Sequence, residues 1–159
     1  MKPYHFILLT ALTSQLMAAE FMISVPVGAA KLPTGWNAYQ GSDATLLVSP
    51  KRHPHVELMP IADGTGGDGA LETQIPELVK KYVLEWHAGK QSSITIAGQP
   101  ATRYVATGVE ADDLDPTSAQ ATVFTIDGHR FLLLAHGEGF DAEAVNPEIE
   151  EILASIHHS

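Results

Sequence analysis

Apolar and polar positions alternate in several short runs along this chain, and in two places the apolar ones recur at helical steps instead. Residues 20–26 (EFMISVP) put Phe21, Ile23 and Val25 on one face and predict a first strand. Residues 28–35 predict a loop, 44–49 (ATLLVS) a second strand stopped by Pro50, and 51–55 (KRHPH) a polar turn around Pro54. Residues 56–61 (VELMPI) alternate again and predict a third strand. Pro60 marks it as an edge strand or as its end, because proline cannot donate to a ladder.

Ile75, Leu78, Val79, Tyr82, Val83 and Trp86 then fall on one helical face. Thr73 is a capping residue, Pro76 suits the first turn, and Gly89 is a natural stop. Residues 92–97 and 101–108 predict a hairpin turning at Gly98-Gln99-Pro100, and 121–126 and 130–135 a second one. The second turns at Asp127-Gly128, a pair suited to the positive φ that both turn positions need. Asn146 caps a last helix with Pro147 at its first position and Ile149, Ile152, Leu153 and Ile156 as its apolar stripe. The order is three strands, helix, four strands, helix. Hairpin links make the sheet antiparallel, and two amphipathic helices must bury against it. The expected fold is α+β, an α/β/α sandwich of about six to seven antiparallel strands and two helices, formed by residues 20–159 as one domain.

Composition narrows the function classes. Among 159 residues, 45% are hydrophobic and 18% charged, which fits a folded globular chain. With 9 basic and 19 acidic residues the net charge is −10, which disfavours nucleic acid and anionic lipid as partners. The absence of cysteine removes disulfides, thiolate catalysis and zinc–thiolate sites. Lys2, the apolar stretch 6–12 and the small residues up to Ala19 follow the order of a secretory signal peptide over residues 1–19. The expectation is export to the periplasm or beyond, with no membrane span after its removal.

A resemblance emerges from the order of several short motifs: the Gly35-Trp36 pair, a helix, the Gly98-Gln99-Pro100-Ala101 hairpin, the Asp127-Gly128 hairpin, and a Glu-rich last helix carrying Leu153, Ser155 and Ile156. Over residues 21–156 the chain resembles the PsbP/Mog1-like α/β/α sandwich superfamily, in particular its small exported bacterial members. The resemblance implies an accessory module that binds another protein. It supplies no shared catalytic residues, so the chain is read as a non-enzyme without a cofactor.

Several residue groups carry possible chemistry. His53 and His55 set two imidazoles two positions apart, a start on a Zn, Cu or Ni site, with Glu57, His129 or His136 as further ligands. Solvated turn histidines are the plainer reading of the same pair. Asp112, Asp113 and Asp115, with Glu110, offer oxygens for Ca²⁺, or else form an acidic turn held by Asx-type hydrogen bonds. Residues 64–69 match G-x-G-x-x-G, but flanking antiparallel strands make them a connecting loop. No G-x-S-x-G elbow accompanies any Ser, His and Asp set. Trp36 and Tyr39 are the aromatic pair for a partner contact, with core capping as the alternative role of Trp36. The expected function is therefore an exported, non-catalytic module binding a protein partner, or alternatively an envelope metal- or small-molecule-binding protein using His53 and His55.

Overall fold

The computed structural model describes residues 20–23, 28–51, 54–62 and 68–156. Five strands come first: β1 (Glu20–Ile23), β2 (Gly28–Lys31), β3 (Asn37–Gln40), β4 (Thr45–Val48) and β5 (His55–Ile61). Helix α1 (Asp68–Val79) follows, then β6 (Val83–Ile96), β7 (Gln99–Glu110), β8 (Pro116–Ile126), β9 (His129–Gly137) and helix α2 (Pro147–Ser155). β1 and β2 pair with each other, and the remaining strands form one antiparallel sheet of seven in the order β3-β4-β5-β9-β8-β7-β6. The α+β sandwich expected from the pattern is the architecture found.

Among the described residues, each face of the sheet carries one helix. On one face Ile149, Ile152 and Leu153 of α2 pack with Leu47, Val56, Leu58, Leu133 and Ala135, and Trp36 and Leu32 close that layer. On the other, Leu71, Ile75 and Val79 of α1 pack with Met59, Ile61, Ala121, Leu132 and Leu134. Strands β5 and β9 lie in the middle of the sheet. Their alternate residues feed the two layers in turn, as period-2 side-chain direction requires. This is why 131–135 (FLLLA) is buried without interruption.

Three local expectations are corrected. The helical face projected as far as Trp86 ends at Val79, where the Tyr82 N–H closes a turn on the Val79 carbonyl at 2.8 Å. Val83 starts β6 instead and pairs with Glu110. The apolar residues still reach the expected layer: Val83 is buried beside Ile75 and Val79, with Tyr82 and Trp86 packed against them. Spacings of three and four across a helix-to-strand junction imitate one continuous face.

The first hairpin turns at Ala97-Gly98, with φ of 48° and 80°, so Pro100 sits inside β7 opposite Thr95. Proline's fixed φ suits an extended strand start as well as a turn. Residues 28–31, expected in a loop, form β2. Of the two alternatives for Pro60, the strand end holds: β5 is interior and ends at Ile61, and β4 covers it only as far as Leu58, so Pro60 pairs with Phe131 of β9 alone. The Asp127-Gly128 turn is as expected, with φ of 50° and 83°. So is the last helix, where Asn146 Oδ1 accepts from the N–H groups of Glu148 and Ile149. The export-type segment 1–19, the glycine-rich stretch 63–67, His53 and the tail from His157 lie outside the described residues.

Candidate metal centre

Strand pairing brings together histidines that are far apart in sequence. His55 opens β5 and His136 lies near the end of β9, and the antiparallel register sets them directly opposite each other. Cross-strand partners share a face, so both rings project on the α1 side, with centroids 5.5 Å apart. Glu57 is two residues beyond His55 and therefore on that same face. One ligand atom from each of His55, Glu57 and His136 lies within 4.8 Å of the others.

The row that contains His55 and His136 continues across the sheet through Ala119, Ala106 and Ala88. Glu110, at the end of β7, reaches His136 from farther along the sheet, and both its carboxylate oxygens stand 2.9 Å from His136 Nδ1. On the other side of the ring, His136 Nε2 is 3.0 Å from Glu57 Oε2. The imidazole is thus held between two carboxylates, with Tyr82 at 6.3 Å between ring centroids. His136 is 2% exposed and Glu57 3%, while His55 is half-buried at the strand end.

Electrostatics follow from this packing. Burial by itself lowers the pKa of His136. The hydrogen bonds and charges of Glu57, and then of Glu110, outweigh it, so the net shift is upward from 6.5. Burial, and next the negative charge of Glu57, push the Tyr82 phenol above 10.0. Without a metal, the cluster is a buried imidazole hydrogen-bonded to a carboxylate at each ring nitrogen.

Two of the donor atoms already stand near the spacing a divalent ion needs. Ligand bonds of about 2.0–2.1 Å in tetrahedral geometry set donor atoms about 3.3 Å apart. The Nε2-to-Oε2 separation of 3.0 Å is close to that edge. Two imidazoles and one carboxylate are a donor set for Zn²⁺, Cu²⁺ or Ni²⁺ rather than for the hard cation Ca²⁺.

No family model matches the chain, and no curated protein matches its sequence. Solved structures do match. The cyanobacterial PsbP protein CyanoP of Synechocystis sp. PCC 6803 superposes with a TM-score of 0.63 at 11% identity, over 95% of this chain and 99% of that one. The fold is PsbP/Mog1-like. A Bacteroides thetaiotaomicron structure matches with a TM-score of 0.59 at 15% identity over 90% of this chain, which spans 49% of that protein. LpqN of Mycobacterium tuberculosis, described as involved in cell envelope biogenesis, matches at 0.50 and 16% identity over 89% and 91% of the two chains. At such identities these likenesses are of fold alone.

The residues singled out from sequence are distributed unevenly. Of the two histidines two positions apart, His55 joins the cluster, and His53 lies outside the described residues. Of the three further ligands considered, Glu57 and His136 are in place, whereas His129 lies at the opposite end of β9, in the Asp127-Gly128 hairpin. Glu110 leaves the acidic loop for the cluster. Asp112 and Asp113 stay exposed, and Asp113 Oδ1 accepts from the Asp115 N–H in an Asx-type turn. Trp36 is buried at 5% exposure, and Tyr39 stands 59% exposed on edge strand β3. Sequence reasoning missed Glu110 as a partner of His136. The available signal was a carboxylate at the end of an otherwise apolar strand face.

Proposed function

We propose that this protein is a non-catalytic, divalent-metal-binding module of the cell envelope. His55, Glu57 and His136 are its ligands. The observation that carries the reading is the convergence of these three side chains from two paired strands to within 4.8 Å. Supporting it, a half-buried His55 leaves one side of the site toward solvent, where a water or a donor from another molecule completes the coordination. Export of the chain is supported by the signal-like order of residues 1–19. Among the described residues no helix is long and apolar enough to cross a membrane.

Thermal melts with added metal test the reading. An ion that binds only the folded state stabilises it by about 2.7 kcal/mol at a hundredfold excess over Kd. Zn²⁺, Cu²⁺ or Ni²⁺ should raise the Tm of the wild type by several degrees, and Ca²⁺ should leave it unchanged. His55→Ala, at the half-buried ligand, should fold normally and lose most of the metal-induced shift. Absence of a shift with all three transition metals would refute the reading.

A second reading, binding of a protein partner, is favoured by the exposure of Tyr39 on a strand that ends the sheet. An open edge with an exposed aromatic ring is a common docking element, and with it Trp36 anchors β3 from the core side. Crosslinking of the tagged protein in its native envelope fraction, with Tyr39→Ser for comparison, tests it. A reproducible partner lost in the variant supports the reading, and a partner retained in the variant removes β3 from it.

A further inference from the structure

We infer that Glu110 is the outer carboxylate of the metal centre, holding His136 in the one tautomer that can ligate. This rests on the proposed metal site and extends it to a residue on a different strand. A histidine binds a metal through one bare nitrogen, and the other nitrogen then carries the proton and needs an acceptor. In His136 the two nitrogens have different surroundings. Nε2 faces Glu57 at 3.0 Å, on the side where the ligand atoms of His55 and Glu57 gather. Nδ1 faces away from that pair and meets both oxygens of Glu110 at 2.9 Å. Glu110 therefore accepts from Nδ1–H, and the metal takes Nε2.

The scaffold fixes Glu110 as firmly as a positioning role requires. Its N–H donates to the Asp115 carbonyl at 2.8 Å, and its carbonyl accepts from Leu114 N–H at 3.1 Å, so the carboxylate hangs from a closed turn. The next residue, Ala111, donates its N–H to the Tyr82 carbonyl at 2.9 Å, which ties the turn to the end of α1. The charges also agree: two buried carboxylates, one inner and one outer, match the two positive charges of the ion.

The test uses Co²⁺ and Zn²⁺ with the full-length protein and the variants Glu110→Gln, Glu110→Asp and Glu57→Gln. Outer-sphere carboxylates of this kind are worth roughly 10–100-fold in metal affinity. Glu110→Gln should lose that much Co²⁺ and Zn²⁺ affinity and keep the wild-type Co²⁺ visible spectrum once saturated, while the ¹⁵N resonance of Nδ1–H on zinc-bound His136 shifts because its charged acceptor is gone. Glu57→Gln should change the Co²⁺ spectrum itself, because it removes an inner ligand. Glu110→Asp, which keeps the charge, should recover part of the affinity and serves should the amide variant fold poorly. Wild-type affinity in Glu110→Gln, with metal still bound through His136, would overturn the inference while leaving the metal site standing. A Glu110→Gln spectrum altered like that of Glu57→Gln would overturn it too, by making Glu110 an inner ligand. Failure of the wild type itself to bind either metal would instead refute the underlying site.

Discussion

At His136 a carboxylate meets each ring nitrogen of a buried imidazole, with Glu110 on one side and Glu57 on the other. Desolvation opposes its charge and the two hydrogen-bonded anions more than restore it, so its pKa in the folded protein lies above the ordinary 6.5. The sign of the linkage follows. The group adds stability that is fully present below about pH 6.5, its unfolded value, and is lost as pH rises through the folded pKa. In the metal-free protein, Tm should fall as the pH is raised from about 6 through the folded pKa. His136→Gln should flatten that fall, and a fall of equal size in the variant would assign it to another group. At this scale the sequence was half legible. Two histidines around Pro54 suggested a metal, and His136 and Glu57 stood among the possible ligands. Choosing between His136 and His129 needed the β5–β9 register, which joins strands 60 or more residues apart and leaves no local trace.

Turns show how local chemistry sets an element and how it can be misread by a residue or two. Asp127-Gly128 was legible because both residues tolerate the positive φ of a two-residue hairpin turn. The preceding hairpin was displaced by a competing signal, since Pro100 looks like a turn residue yet the turn is Ala97-Gly98. Ala97 pays a steric cost there, because its Cβ crowds the following carbonyl oxygen at a φ of 48°. Ala97→Asn gives the turn its preferred Asn-Gly pair. It should raise stability by about 0.5–1 kcal/mol, read as a higher urea midpoint with an unchanged slope. No gain would mean that the surrounding strands, and not the turn residues, set this register. Helix α1 carries the other lesson. Its apolar stripe continues into β6 without a break in hydrophobicity, so periodicity alone could not find its end. The pairing of β6 with β7 along 83–96 decides it.

In the whole molecule the sheet is a partition. Strands β5 and β9 send Val56, Leu58, Leu133 and Ala135 to the α2 layer, and Met59, Ile61, Leu132 and Leu134 to the α1 layer. His55, Glu57 and His136 continue the second set by alternation, so the proposed site belongs to the α1 layer alone. The two-layer design was readable from two amphipathic helices and a run of strands. Which helix covers the histidines was not, because that depends on which strands occupy the middle of the sheet. The partition makes the two helices separable by experiment. Ile75 of α1 and Ile152 of α2 are both fully enclosed, so either truncation to alanine should cost about 2–5 kcal/mol. Measured well below each variant's Tm, Ile75→Ala should also weaken Zn²⁺ binding, because α1 packs over Val83 and the Tyr82 turn that border the site. Ile152→Ala, whose cavity opens on the far side of the strands, should bind Zn²⁺ with wild-type affinity despite its lower stability. Equal weakening in both would mean that metal affinity follows global stability, and that the sheet does not insulate one layer from the other.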